Sequence, residues 1–400
     1  TQSSDIRCPK ASHSWKRDAA LVAVLAVASF FLIILKTGYE GRQPGPEVIR
    51  SRAEVLSADD SEVQQFGVIR QGEQQVTLRV LSGPLRGQTV TAGNTLIGDM
   101  QLDYVYRPGD IALVTLSLGD EGVRWANLEG PYRLRAELVL CVLFAVLLIA
   151  VAGWTGLKAL MSFGFAVLMI WKVMVPCFLQ QYDPVPVALG VVAVLTAVIC
   201  FLVGGLTKRG VVAFLGGFLG LLLACCLALL FSTHFLLSGA VRPFAKALLQ
   251  VVSPEMDLNR IFIAGIFVAA SGAVMDLAMD IASAQQELIA KHPNMDAVEL
   301  MRSGLRVGRA VIGTMTTTLL LAYSGAYVSL MMYFMAQGVP LLNMLNTSYI
   351  SAEVLNTLVG SFGLITVAPF TAFVGGLIYT RGQTRQAAPV EAQATAQPGN

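Results

Sequence analysis

The residues best placed to do chemistry lie where the 400-residue chain is otherwise most apolar, in Ser271-Gly-Ala-Val-Met-Asp276-Leu-Ala-Met-Asp280-Ile-Ala-Ser283-Ala-Gln-Gln286-Glu287. Asp276, Asp280, Ser283 and Glu287 follow one another at intervals of four, three and four, so on a helix they share one face. A carboxylate at the centre of a membrane helix costs roughly 2.5–3.5 kcal/mol, and two on one face repel each other. Such a stripe is stable opposite a partner, a water-filled cavity, a proton or a cation. The alternative is a helix that leaves the bilayer near Asp276 and sets its acids among the inner headgroups.

A second segment, Gly313-Thr314-Met-Thr316-Thr317-Thr318, concentrates four hydroxyls on the next apolar run. Thr314 and Thr317 are candidates for an oxygen lining completed by Asp276 and Asp280. Threonine hydroxyls also bond back to their own helix and let helices approach closely, so packing is the other reading. Lys172, a cation inside an earlier apolar run, could pair with one of these acids or extend to the outer interface. For a bound metal the residues give no indication either way.

Other chemistries find little support. The three histidines (His13, His234, His292) fall outside the centres of the apolar runs, H-E-x-x-H is absent, and no glycine-rich phosphate loop with a lysine occurs. An enzyme is not expected, and no cofactor is implied. The net charge is +2 with no basic run longer than a pair, which argues against a nucleic-acid partner.

The elements that must carry these residues are membrane helices. The chain is 55% hydrophobic and 14% charged, with mean hydropathy +0.64. A helix needs about 20 apolar residues to cross the hydrocarbon core. The first such run, Ala19 to Leu35, follows Lys10, Lys16 and Arg17 and lacks a small-residue cleavage site, as an uncleaved signal anchor would. Seven further runs are Glu137–Ala152, Leu157–Val175, Val187–Leu206, Val211–Phe231, Ile261–Ser283, Ala310–Ala336 and Val354–Tyr379. Pro369 is expected to kink the last, and Gly216-Gly217-x-x-Gly220 offers a close-packing surface without chemistry.

Lys and Arg fix the orientation. With the N-terminus inside, the inner loops hold Lys158, Lys208 with Arg209, and Lys291 with Arg302, Arg306 and Arg309, while the outer loops 177–186 and 337–353 hold none. Both termini are then cytoplasmic.

The connection after the first helix is charged and strand-like from about Phe66. Gln75–Leu81 alternates, Ser82–Gly87 turns, and Gln88–Thr91, Ile111–Leu116 and Val123–Leu128 follow between Gly, Pro and Asp turns. This predicts a small extracytoplasmic β-barrel, OB-like in kind. The fold class is therefore a polytopic α-helical membrane protein of about eight transmembrane helices, with this β-rich domain between helices one and two. Its divisions are a cytoplasmic tail over 1–18, the anchor over 19–36, the β-rich domain over 37–136, a seven-helix bundle over 137–380 and a disordered cytoplasmic tail over 381–400.

The run from Gly272 through Asp276 and Asp280 to Ala284, Glu287-Leu288, and Gly313-Thr314-Met-Thr-Thr-Thr-Leu319 resembles the YibE/F family of bacterial membrane proteins. So do Val80-Leu-Ser-Gly83, Gly87 and Arg107-Pro-Gly-Asp110 in the β-rich segment. The resemblance covers about residues 40–380 and implies a multi-helix protein of the cytoplasmic membrane, with no defined activity. The residues themselves favour a secondary transporter or permease coupled to a proton or cation at Asp276 and Asp280. The competing expectation is an envelope assembly or export factor whose β-rich domain binds a partner protein. The lipid bilayer is a partner in either case.

Overall fold

The computed structural model describes residues 12–39, 48–100, 102–119, 122–325 and 327–381. Residues 1–11 and 382–400, which make up most of both expected tails, lie outside the described residues. The chain divides into two compact units, residues 38–151 and residues 1–37 with 152–400.

The first unit is built on five strands, β1 (Val48–Phe66), β2 (Ile69–Val80), β3 (Thr89–Ile97), β4 (Ile111–Gly119) and β5 (Gly122–Pro131). They close a barrel in the order β1-β2-β3-β5-β4, with β1 also pairing β4. Every contact is antiparallel except the single β3–β5 bridge, Gly93 with Asn127. This strand order is that of an OB-like barrel. The alternation read in the sequence gives the core: Ala53, Val55, Val76, Leu78, Val80, Ala92, Ala112, Val114 and Leu116 point inward around Tyr106. One polar knot sits among them. The Gln74 amide donates to the Tyr106 carbonyl at 3.0 Å and accepts from the Tyr106 N–H and from Asn94 Nδ2, each at 3.0 Å. Burying Gln74 is tolerable because its amide is satisfied on both sides. Burial also pushes the Tyr106 phenol well above its ordinary pKa.

The strand reading was incomplete at its start. β1 begins at Val48, eighteen residues before the expected Phe66. Only its first part, around Ser51, Ala53 and Val55, is buried; the rest extends with β2 as an exposed ribbon rich in Asp, Glu and Gln. Half of that strand therefore carries no apolar alternation. At Gly72 the ribbon passes a register shift between Asp59 and Glu62, with φ 124° and no room for a Cβ beside the Glu62 carbonyl.

The helices are α1 (Ser12–Ile34), α2 (Leu134–Met169), α3 (Val175–Leu179), α4 (Pro184–Gly204), α5 (Lys208–His234), α6 (Ala245–Val251), α7 (Leu258–Lys291), α8 (Ala297–Gly325), α9 (Val328–Ala336), α10 (Leu341–Leu345) and α11 (Ser348–Thr380). Among the described residues five helical segments are long and apolar enough to cross a membrane, namely Leu134–Leu179, α4, α5, α7 and α11. The α8–α9 pair makes a sixth if counted as one bent span. The break expected over Gly153–Gly156 narrows to one residue: Gly153 alone leaves helical geometry, at φ 54° and ψ −128°.

The seventh apolar run is not one straight helix. It bends by 62° after Gly325, where α8 gives way to α9. The Ser324-Gly325 pair is the kind of site at which helices kink. Pro369 lies inside α11, which continues through it from Ser348 to Thr380.

α7 is the hub of the second unit and packs against α4, α5, α8 and α11. Small residues set the spacing. Gly216 and Gly220 of α5 lie against Thr371, Val367 and Gly363 of α11, so the glycine motif is a packing surface as expected. At one end of α7 the buried Gln285 donates to the carbonyls of Leu300 and Ala372, wedged between Gly304 of α8 and Gly375 of α11. Tyr379 donates its hydroxyl to the Ala282 carbonyl at 3.0 Å nearby.

Candidate functional site

α7 starts where the Asp257 side chain accepts the Arg260 N–H, and it runs unbroken to Lys291, beyond all four sequence-predicted residues. Its buried face is formed by Ile266, Phe267, Val274, Leu277, Ala278, Ile281 and Gln285. The other face is an open stripe: Gly265, Ala269, Gly272, Asp276, Asp280 and Glu287 are exposed, and Ser283 is half-buried among them. The helix thus brings the acids to one face, and that face points away from the packed interior. Asp276 lies in electrostatic range of Asp280 and of Cys200 on α4. Among the described residues neither acid forms an ion pair.

The remaining candidates stand apart. Ser283 donates to the Met279 carbonyl of its own helix at 2.7 Å. Thr314, Thr317 and Thr318 donate to Val311, Gly313 and Thr314 carbonyls at 2.9, 3.1 and 3.0 Å, and Thr316 donates to Ile312. Thr314 and Thr317 are exposed. α8 meets α7 through Gly304 and Gly308, beside Gln285 and Ile281, on the side of α7 turned away from the acids. The structure does not bring these hydroxyls to the acid stripe. Lys172, in a π-helical turn over Ile170–Met174, donates its ammonium to the Leu35 carbonyl at 3.1 Å, just past the end of α1.

A second polar cluster was not singled out from the sequence. Glu353 was assigned to an outer loop; α11 instead begins at Ser348 and buries Glu353 in its second turn, 9% exposed. Its carboxylate faces the Asn356 and Tyr327 side chains. The Tyr327 hydroxyl in turn accepts from Arg242 Nη1 at 3.3 Å, and the Arg242 guanidinium lies 5.4 Å from the centre of the Phe262 ring. The available signal was spacing: Glu353, Asn356 and Thr357 fall at i, i+3 and i+4, one helical face. Among the described residues no group of three His, Cys, Asp or Glu side chains is placed to hold a metal ion.

A family model described as YibE/F-like protein matches residues 140–381, from within α2 to the end of α11. The chain belongs to the YibE/F family. A model of the YibE/F family N-terminal domain matches residues 49–128, which is the barrel. The resemblance carried by Asp276, Asp280 and the threonine run is thereby confirmed along both units. Neither family description names an activity. No curated protein and no solved structure matches this YibE/F chain.

Proposed function

We propose that this YibE/F protein is a secondary transporter or permease of the bacterial inner membrane, coupled to a proton or cation carried by Asp276 and Asp280. The observation that carries the reading is the open acid stripe on α7, a helix otherwise apolar enough to span. Two neighbouring carboxylates without a counter-ion cannot both stay charged against lipid. They require water, a proton or a cation along that face.

The membrane arrangement belongs to this proposal. Eight crossings follow if α1 spans, if Leu134–Leu179 is divided at Gly153 into two spans, and if the α8–α9 pair counts as one. The distribution of Lys and Arg then puts both termini in the cytoplasm and the barrel outside.

The test is an Asp276→Asn, Asp280→Asn double variant, which removes charge at nearly constant volume. It is expected to reach the membrane at normal abundance and to fail in complementing the phenotype of a deletion strain. Full complementation would end the ion-coupling reading.

A specific feature favours a second reading, an envelope assembly or export factor. The barrel exposes apolar side chains at the β1–β2 hairpin and beside it: Phe66, Val68, Ile69, Ile97 and Met100. Val68, Ile69 and Met100 line one shallow cavity. An apolar patch on a small folded domain is the signature of a protein-binding surface. Complementation by the double Asn variant would move this reading to the front.

A further inference from the structure

The bend between α8 and α9 opens a cavity of about 260 Å³ that neither family description nor the acid stripe accounts for. Its wall is apolar (Leu320, Met331, Met344, Leu345, Ile350, Leu358), and its polar groups are few: Ser324, Tyr327, Glu353 and Thr357. A mostly apolar pocket with a few converging polar groups is the usual form of a small-molecule site. Helices broken at membrane depth are where transporters place such sites.

The polar groups select the ligand. Glu353 is the one carboxylate in the lining, and it has no ion-pair partner among the described residues. Arg242 donates to the Tyr327 hydroxyl and lies in electrostatic range of Glu353, but it does not line the cavity. Beside it the Asn356 side-chain oxygen is buried with no donor, the residue being 3% exposed. Glu353 is thus the one charge that a mostly apolar lining presents, and the Tyr327 ring adds a π face that favours a cation. An anion would meet the carboxylate, and a wholly apolar molecule would leave it unmatched.

We infer that the cavity between α8, α9, α10 and α11 binds a small organic ammonium ion with an apolar body, its charged end held by Glu353 and Tyr327. The site is independent of Asp276 and Asp280, so each assignment can fail without the other.

The experiment is calorimetric titration of the full chain in lipid nanodiscs with phenethylammonium, using phenethyl alcohol as the neutral control. The ammonium ion is expected to bind at one saturable site, at least about tenfold tighter than the alcohol, the difference that one charge-assisted contact makes. Glu353→Gln should remove that preference and leave the weak binding of the alcohol unchanged. Leu358→Trp, at the exposed rim, should block both ligands while keeping Glu353, and it serves as the informative variant if Glu353→Gln does not fold. Equal binding of amine and alcohol by the unaltered chain would overturn the inference. So would amine binding that survives either substitution, or the absence of saturable amine binding.

Discussion

Gly216 and Gly272 illustrate how two glycines of the same membrane unit differ in consequence. A Cβ at Gly216 would fall 2.6 Å from the Thr371 Cα, inside the α5–α11 contact, whereas nothing lies within 4 Å of one at Gly272. Gly216→Ala is therefore expected to destabilise the detergent-solubilised chain by about 1–3 kcal/mol through overpacking. Gly272→Ala should leave its melting temperature equal or raise it slightly, since Ala is the better helix former; equal losses at both positions would contradict the packing. At the junction of α4 and α7, Arg260 binds both carboxylate oxygens of Asp183, at 2.8 and 2.5 Å. That hydrogen bonding holds the Asp183 carboxyl below its ordinary range. A depressed carboxyl pKa contributes stability above the unfolded value, which is lost as pH falls through the folded one. Asp183→Asn should thus destabilise the chain by less than about 1 kcal/mol at pH 7, seen as a slightly lower melting temperature, because the pair is well exposed. The difference from the parent chain should shrink as pH falls below about 4; a difference that grows on acidification would contradict the pairing.

The barrel is an element with its own core, and residues 42–132 expressed without the helices are expected to melt cooperatively with strand-dominated circular dichroism. Broad melting would mean that its order depends on the helices. Its alternating strands were legible because each puts alternate side chains into one core, as Val76, Leu78 and Val80 do. None of β1 was read as a strand: its outer half is exposed on both faces and has no reason to alternate, and its inner half buries only the small or short side chains Ser51, Ala53 and Val55. Among the helices, apolar runs of spanning length were legible for the same reason that lipid demands them. The bend after Gly325 was hidden because a run of apolar residues reads alike whether the helix within it is straight or broken. Burial of Glu353 was hidden too: its partners Tyr327 and Arg242 are distant in sequence and meet it only through folding.

For the whole molecule the decisive expectation is topology. Reporters fused after Lys208 and after His292 should read cytoplasmic, and those after Gly119 and Asn343 should read outside. A cytoplasmic signal at Gly119 would overturn both the orientation and the placement of the barrel. The sequence by itself determined that this YibE/F chain is an apolar, many-helix protein with a separate strand-rich domain, and that Asp276, Asp280, Ser283 and Glu287 share a helical face. Those properties follow from local rules, the length of apolar runs and the periods of helix and strand. Only the tertiary structure decided which way that face points, because facing depends on neighbours: α5 and α11 cover the opposite side of α7 and leave the acids open. Packing likewise left Thr314 and Thr317 to bond within their own helix, and gathered Glu353, Asn356 and Tyr327 around a cavity that no single segment encodes.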